Sequence, residues 1–421
     1  MMRLLVIADD YTGALDTGTQ FAKQGISATL SLYDSLTAET LAACREQVFV
    51  VDTESRHLPA HEAAERVHAV TRLAKAHGFR YFFKKTDSTL RGNIGSELEA
   101  MQRECGAQQL YFAPAYPALG RTTERGVHYV NGIALSKTEF ASDPFNPVTE
   151  SNVAALVLSQ CSSRAYTVQP GQLRPLAHTP EMVIVNARTD DDLLIAAQAL
   201  SAADRLTCLA GCAGFAAALA KVLPFHTAPC HWVPQSGGRL LVSGSIHPQS
   251  VTQCLYAVQQ CKYADRPLTL RQMLSRQDDC TQLVTSVCET LSAGDSAVVR
   301  VAGGRELLPD AGNYAESLCL DETALPARIA WKLGYVTQQI IQKQPPALLT
   351  VFGGDTLMGI AAALRCQNIT PVTELLPGIV LSQMHTKHGC LDLITKAGGF
   401  GSEALLSEIE ERLAIWTPTK L

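Results

Sequence analysis

Six residues between positions 84 and 91 could do chemistry together: Lys84, Lys85, Asp87, Ser88, Thr89 and Arg91, followed at once by Gly92. Cations of this kind hold a carboxylate or a phosphate, while Asp, Ser and Thr address hydroxyls. The set suits capture of a small, oxygen-rich anion. A solvated loop that caps a helix would draw on the same residue types, but a cap needs one polar residue rather than six. The flanking residues say how the set is held. Residues 81–83 form an aromatic run of strand length, and Ile94, Leu98 and Met101 recur at helical spacing after it. A strand therefore delivers the polar set into a turn before a helix. In an open α/β sheet such a turn lies at the carboxyl edge, where ligands bind.

The same device opens the chain. The apolar run 4–8 ends in Asp9-Asp10-Tyr11-Thr12-Gly13. Asp9 and Asp10 read as hydroxyl-binding groups or a general base. The plainer alternative is that Asp10 or Thr12 caps the next helix; both hold if Asp9 points one way and Asp10 the other. Arg121, in Arg121-Thr-Thr-Glu-Arg125, would suit a carboxylate or lie in an exposed charged loop. In the second half, an apolar strand, a Gly-rich turn and a helix start recur three times, at 243–245, 353–356 and 396–402. Glycines let backbone N–H groups approach an anion, and a helix N-terminus adds a positive dipole end. None of the three is a Gly-x4-Gly-Lys-[Ser/Thr] loop or a Gly-x-Gly-x-x-Gly fingerprint. As isolated imidazoles His128 and His247 are discounted, and His385 and His388 are placed in a loop.

These sites need sheets to carry them. Strands are expected at 4–8, 28–33, 48–51, 81–83, 109–113, 182–185 and 206–210. A second series follows at 239–242, 297–301 (closed by Gly303-Gly304), 347–352, 379–383 and 391–395. Helices fall between them, among them 59–77 and about 322–342. The prolines and glycines of 114–126 read as irregular structure, as do residues 127–180. Pro224 to Gly238 holds three prolines and two glycines and marks a boundary. The reading is α/β with two domains, 1–230 and 239–421, each a largely parallel sheet covered by helices. The active site is expected in the cleft between them.

Bulk properties narrow the partners. The 421 residues are 47% hydrophobic, enough for sizeable cores. A net charge of −5 argues against a nucleic-acid binder. No stretch is long and apolar enough to span a membrane, and the start does not read as a signal peptide. The 13 cysteines are scattered and lack a Cys-x-x-Cys pair, so they read as reduced core thiols of a cytoplasmic protein without a metal site.

One half thus gathers carboxylate and hydroxyl binders and the other gathers phosphate cradles. That combination implies phosphoryl transfer from a nucleotide to an alcohol. The segments 8–14, 84–92, 114–117, 120–123, 353–356, 377–378 and 396–401 also resemble, in order, the four-carbon acid sugar kinases. The resemblance implies an N-terminal acid-sugar-binding domain and a C-terminal nucleotide-binding domain. It implies ATP and Mg²⁺ as cofactors and phosphorylation of the 4-hydroxyl of a tetronate. Asp16-Thr-Gly-Thr-Gln20 leans toward D-threonate, with D-erythronate or a 3-oxo-tetronate as alternatives. A non-catalytic acid-sugar-binding protein is the rival of another class. Asp355, Asp10 and Lys85 are the candidate catalytic groups, the base being open between the two aspartates. Asp9, Asp10, Lys84, Lys85, Asp87, Ser88, Arg91 and Arg121 are the candidate acid-sugar contacts. Ser243, Ser245, His247, Gly353, Gly354, Asp355, Thr356, Gly378, Lys396, Gly398 and Gly399 are those for the nucleotide. His247 stands where relatives often carry a second serine. The expected partners are the small sugar acid, ATP and, as one option, a second copy in a homodimer.

Overall fold

The computed structural model describes residues 3–143, 145–176, 178–228, 232–276, 280–302, 325–396 and 398–416. The expected Gly303-Gly304 turn, the first residues of the expected 322–342 helix and Ala397 lie outside these residues. The chain divides into two compact units, Met1–Ala228 and Pro229–Leu421.

In the first unit the strands are β1 (Leu4–Ala8), β2 (Ala28–Leu32), β3 (Val48–Asp52), β4 (Tyr81–Lys85), β5 (Gln109–Ala113), β6 (Arg121–Glu124), β7 (Val127–Val130), β8 (Ile133–Ala134), β9 (Arg164–Val168), β10 (Glu181–Val185) and β11 (Cys208–Gly211). The helices are α1 (Tyr11–Ala22), α2 (Ala38–Ala43), α3 (Ala60–Ala76), α4 (Ile94–Cys105), α5 (Val153–Leu158), α6 (Asp190–Ala202) and α7 (Ala213–Val222). Strands β2-β3-β1-β4-β11-β5-β10-β9 lie in that order and every pairing is parallel. Their apolar runs are continuous because helices cover both faces. Leu5, Ile7, Phe82 and Phe112 pack with Val67, Leu98 and Met101 of α3 and α4. On the other face Phe83 meets Phe215 of α7 at 6.2 Å. The register sets Ala8 level with Asp52 and Lys85, and Lys85 level with Gly211. The turns after these strands therefore emerge side by side.

Residues expected to be irregular form a small antiparallel sheet, β6-β7-β8. Gly120, with φ of 71°, closes a turn ahead of β6 rather than breaking the segment, and the Thr-Thr and Val-His-Tyr-Val runs then pair across a tight turn at 125–126.

The second unit holds β12 (Arg239–Ser243), β13 (Ala264–Leu268), β14 (Ala297–Val301), β15 (Leu348–Phe352), β16 (Cys366–Leu376), β17 (Ile379–Thr386) and β18 (Gly389–Lys396). Its helices are α8 (Pro248–Gln259), α9 (Leu270–Leu274), α10 (Thr281–Ser292), α11 (Leu325–Lys343), α12 (Gly354–Leu364) and α13 (Leu405–Ala414). The order is β13-β14-β12-β15-β18-β17-β16, parallel as far as β18 and antiparallel beyond it. Sequence patterning misses β16, where Pro371 falls at a register shift of the kind that admits proline to a strand. His385 lies within β17, not in the expected loop. Trp416 donates Nε1–H to the Trp232 carbonyl at 3.1 Å, with the two indoles edge to face, which fastens the chain end to the start of the unit.

Helices α11 and α12 cross with backbone nearly touching backbone. A Cβ on Gly334 would sit 2.1 Å from the Gly359 carbonyl oxygen, and one on Gly359 would sit 2.1 Å from that of Ala330. Neither contact can relax by rotating a side chain. Gly334→Ala is expected to lower stability by about 1–3 kcal/mol, the usual cost of overpacking. Urea denaturation checks this, and an unchanged midpoint at unchanged slope would reject the close crossing.

Candidate functional site

The carboxyl edge of the first unit is organised by a residue that the sequence reading left out. Arg56, from the loop after β3, donates from Nε to Asp9 Oδ2 at 2.7 Å, and its terminal nitrogens reach the two Asp10 oxygens at 2.9 and 2.7 Å. Asp87 Oδ1 lies 3.6 Å away on the same guanidinium. Asp9 and Asp10 do not point apart, as expected from alternation; they converge on one cation. The chain leaves the β1 ladder after Ala8, and Asp10 becomes the N-cap of α1, accepting from the Gly13 N–H at 3.1 Å. Burial opposes the charge of Asp9, but Arg56, Lys84 and Lys85 outweigh it and hold that carboxyl below its usual range. Asp52, buried at the end of β3, is pushed well above the carboxylate range by burial and by Glu54 and Asp10.

Asp87 is buried and accepts from the Thr89 N–H at 3.2 Å, from the Thr89 hydroxyl, and from Arg91 Nε and NH2 at 2.8 and 3.1 Å. Burial again opposes its charge, and Arg56 and Arg91 hold it far below the usual range. Arg91 keeps a partly exposed face, where NH1 meets Asp143 at 3.4 Å.

The two lysines part company because successive strand side chains face opposite sides. Lys84 is wholly buried: its Nζ lies 3.1 Å from Glu97 Oε2 of α4 and donates to the Lys85 carbonyl at 2.8 Å. Lys84, expected to contact a ligand, lies here in an interior ion pair. Lys85 turns toward α1, where a Cβ on Gly13 would meet both its Nζ and Asp10 Oδ1 at 2.5 Å. Arg121 is drawn into its own turn, donating to the Leu119 carbonyl, and its Nε has no hydrogen-bond partner among the described residues. Ser88 presents its carbonyl to His128 Nε2 at 3.0 Å.

In the second unit the three Gly-rich turns follow adjacent parallel strands. Ser243 pairs with Phe352, and Phe352 with Lys396. The Gly244 N–H donates to Thr356 Oγ1 at 3.2 Å, tying the first turn to the second. Gly353 adopts φ of 101°, a value closed to most side chains, and no side chain caps α12 after it. The first-turn N–H groups of 354–356 are left without a capping side chain, and Asp355 beside them is exposed, with no hydrogen bond or ion pair among the described residues. His247 caps α8, accepting from the Gln249 N–H at 3.2 Å, and its ring lies against the third turn, 2.9 Å from where a Gly399 Cβ would sit. The Ser245 hydroxyl accepts from the His247 N–H at 3.3 Å. Lys396 donates to Ser250 Oγ at 3.0 Å and to the Gly398 carbonyl, with its ammonium 4.9 Å from the Phe352 ring centre; burial brings its pKa down to about 8. Two expected contacts stand behind this nest. Ser243 is buried and bonded to Cys254, and Gly378 turns the β16–β17 hairpin against the Phe400 ring. Among the described residues no group of three or more His, Cys, Asp or Glu is placed to hold a metal ion, and no helix is long and apolar enough to cross a membrane.

His128 braces the polar loop from below. A carbonyl only accepts, so Nε2 carries the proton toward Ser88, and Nδ1 accepts from the Thr123 hydroxyl at 2.9 Å. Burial lowers its pKa to about 4, with Arg121 adding to the effect and the Ser88 carbonyl and Asp87 opposing it. The unfolded imidazole titrates near 6.5, so the unfolded chain binds the proton first as pH falls. Stability is therefore expected to decline from about pH 6.5 to about 4. Melting curves over that range should show the decline in the parent and a flatter one in His128→Gln.

Comparison with known proteins follows this division. Residues 4–219 match the family model described as a sugar-binding N-terminal domain, and residues 240–406 match that of a nucleotide-binding C-terminal domain. A D-threonate kinase of Salmonella typhimurium is 32% identical over 97% of each chain, and one of Bordetella bronchiseptica is 30% identical over 95% of each. A D-erythronate kinase of Heliobacterium modesticaldum is 27% identical over 90% of this chain and 89% of its own. A crystal structure of a Haemophilus influenzae protein superposes with a TM-score of 0.76 at 20% identity, covering 97% of this chain and 99% of that one, which shows a shared fold. With both family models matched and relatives similar from end to end, the chain belongs to the four-carbon acid sugar kinases.

Proposed function

We propose that the chain transfers the γ-phosphoryl group of ATP to the 4-hydroxyl of a four-carbon sugar acid, D-threonate in the first place. The observation that carries this reading is the set of three adjoining turns in the second unit, with uncapped N–H groups at 354–356 and the Lys396 ammonium beside them. Such groups suit the phosphates of a nucleotide. At the edge of the first unit, Arg91 offers a carboxylate its partly exposed guanidinium, and Asp10, Lys85 and Ser88 would address hydroxyls. Asp9 and Asp87 act through Arg56 and Arg91, and Lys84 through Glu97, as supports of those contacts.

The base is better assigned to Asp355 than to Asp10. Both Asp10 oxygens are occupied by Arg56, and one also accepts from Gly13, whereas Asp355 is exposed and uncommitted among the described residues. It would take the proton of the attacking hydroxyl as the phosphoryl group moves. Mg²⁺ fits as an ion carried by the nucleotide, because it retains water and phosphate oxygens and needs few protein ligands. Among the described residues no three His, Cys, Asp or Glu gather into a cage, and Asp355 stands at the nest. When bound, the ion supplies positive charge at the phosphates.

An ADP-release assay across D- and L-threonate, D- and L-erythronate and 3-oxo-tetronates tests the reaction. D-threonate is expected to lead, and ADP from none of them would remove the kinase reading in favour of a non-catalytic binder. Asp355→Asn should lower kcat by at least about 10²-fold, the scale of general-base catalysis, with D-threonate still bound. Lost D-threonate affinity would move the base to Asp10. Lys396→Met should raise KM for ATP about tenfold or more, as for one charge-assisted contact, with acid-sugar binding unchanged. An unaltered KM for ATP would take Lys396 out of the nucleotide site.

A further inference from the structure

Beneath the Arg56 cluster lies a buried carboxylate whose part so far is only to pair with Lys84. Glu97 is 1% exposed, on the first turn of α4. Lys84 from β4 is 3.1 Å from its Oε2, and Ser55, from the loop after β3, donates its hydroxyl to Oε1. The charged and titratable groups that act on it are Lys84 and Asp9, the latter from the end of β1. We propose that Glu97 is a positioning residue of the acid-sugar site that takes up one proton when the substrate carboxylate binds. This rests on the acid-sugar reading given above.

Charge balance is the first support. The cations Arg56, Lys84, Lys85 and Arg91 are packed with the carboxylates of Asp9, Asp10, Asp87 and Glu97, and Asp143 closes the rim on Arg91. The cations are already matched, so an incoming carboxylate brings a negative charge that nothing offsets. In a poorly solvated site that imbalance favours binding a proton at the carboxylate that holds one most readily. Asp9 is held below the usual range by Arg56, Lys84 and Lys85, and Asp87 far below it by Arg56 and Arg91. Glu97 and Asp52 are held above it, Glu97 by burial first, with Asp9 adding to the effect and Lys84 and Ser55 opposing it. Of the two, Glu97 is the one that sits against an ammonium and a donating hydroxyl.

The hydroxyls beside Glu97 provide the second support, because they serve both of its protonation states. Thr53 Oγ1 lies 2.8 Å from Ser55 Oγ and donates to the Ala8 carbonyl at 2.7 Å. When Glu97 is charged, Ser55 donates to it. When Glu97 is neutral, its own O–H can donate to Ser55 Oγ, and the Ser55 hydrogen rotates onto Thr53 Oγ1. The Thr53 hydrogen stays on Ala8 throughout. No heavy atom has to move, and no polar group is left without a partner on this path.

Calorimetry of D-threonate binding to the full chain without nucleotide, in buffers of different ionisation enthalpy between pH 6 and 8, tests the proposal. The expected result is uptake of a fraction of a proton, with Kd rising at up to about tenfold per pH unit where uptake is largest. Glu97→Gln should bind without uptake and with little dependence on pH. Ser55→Ala, which removes a bond favouring the charged form, should move the uptake to higher pH, and it supplies the test if Glu97→Gln does not fold. His57, whose imidazole meets Asn146 Nδ2 at 2.6 Å on the rim, is the competing site, and His57→Gln should leave uptake intact. Binding without uptake, or uptake lost in His57→Gln and kept in Glu97→Gln, would overturn the role of Glu97 alone. Failure of every four-carbon acid to bind would overturn the acid-sugar reading together with it.

Discussion

One guanidinium holds the first site in shape. Arg56 reaches from the loop after β3 to carboxylates that follow β1 and β4, joining three turns that parallel register has set side by side. A buried ion pair of this kind adds little net stability, since desolvation of both partners offsets much of their attraction. What it does supply is direction. The planar fork of arginine fixes the carboxylates it touches, where a flexible ammonium would leave them free to turn. Asp10 is held from both sides, by Arg56 and by the Gly13 N–H, and Asp87 by Arg56, Arg91 and Thr89.

The second unit meets the problem of binding an anion by other means. Among the described residues its three turns offer backbone N–H groups, the Lys396 ammonium and the Asp355 carboxylate, so little has to be neutralised before phosphates arrive. Tight packing substitutes for ion pairs there. Thr356 accepts from Gly244, the His247 ring fills the space over Gly399, and the crossing at Gly334 and Gly359 holds α12 in place. A site built from backbone is also a site that a single added methyl group can block.

Much of this was legible in the sequence, for definite reasons. Parallel strands buried on both faces are unbroken apolar runs, so β1, β3, β5, β12 and β15 stood out together with the polar turns that follow them. The edge strands β9 and β13 did not, because Arg-Ala-Tyr-Thr-Val and Ala-Asp-Arg-Pro-Leu carry polar side chains where only one neighbour needs apolar contact. Within the candidate site, Asp9, Asp87 and Arg91 were singled out by type and place. Arg56 was passed over although it follows a strand as they do, since what distinguishes it is a pair of contacts across 46 and 47 positions of chain. Glu97 did leave a trace. It sits among Ile94, Leu98 and Met101 on the apolar face of α4, where a carboxylate is out of place unless something buried answers it.

The adjacent lysines of β4 look like duplicates and are opposites. One is sealed against α4 and the other leans on α1, so each is defined by which side of a pleat it occupies. Sliding β4 by one position in one direction would set Phe83 against the buried glutamate, and in the other would carry the Lys84 ammonium into the place of Phe83 beside Phe215. The length of the connection between α3 and β4 is therefore held as tightly as the identity of either lysine. Variation among homologues at 77–80 should be confined to exchanges of residue, without gaps.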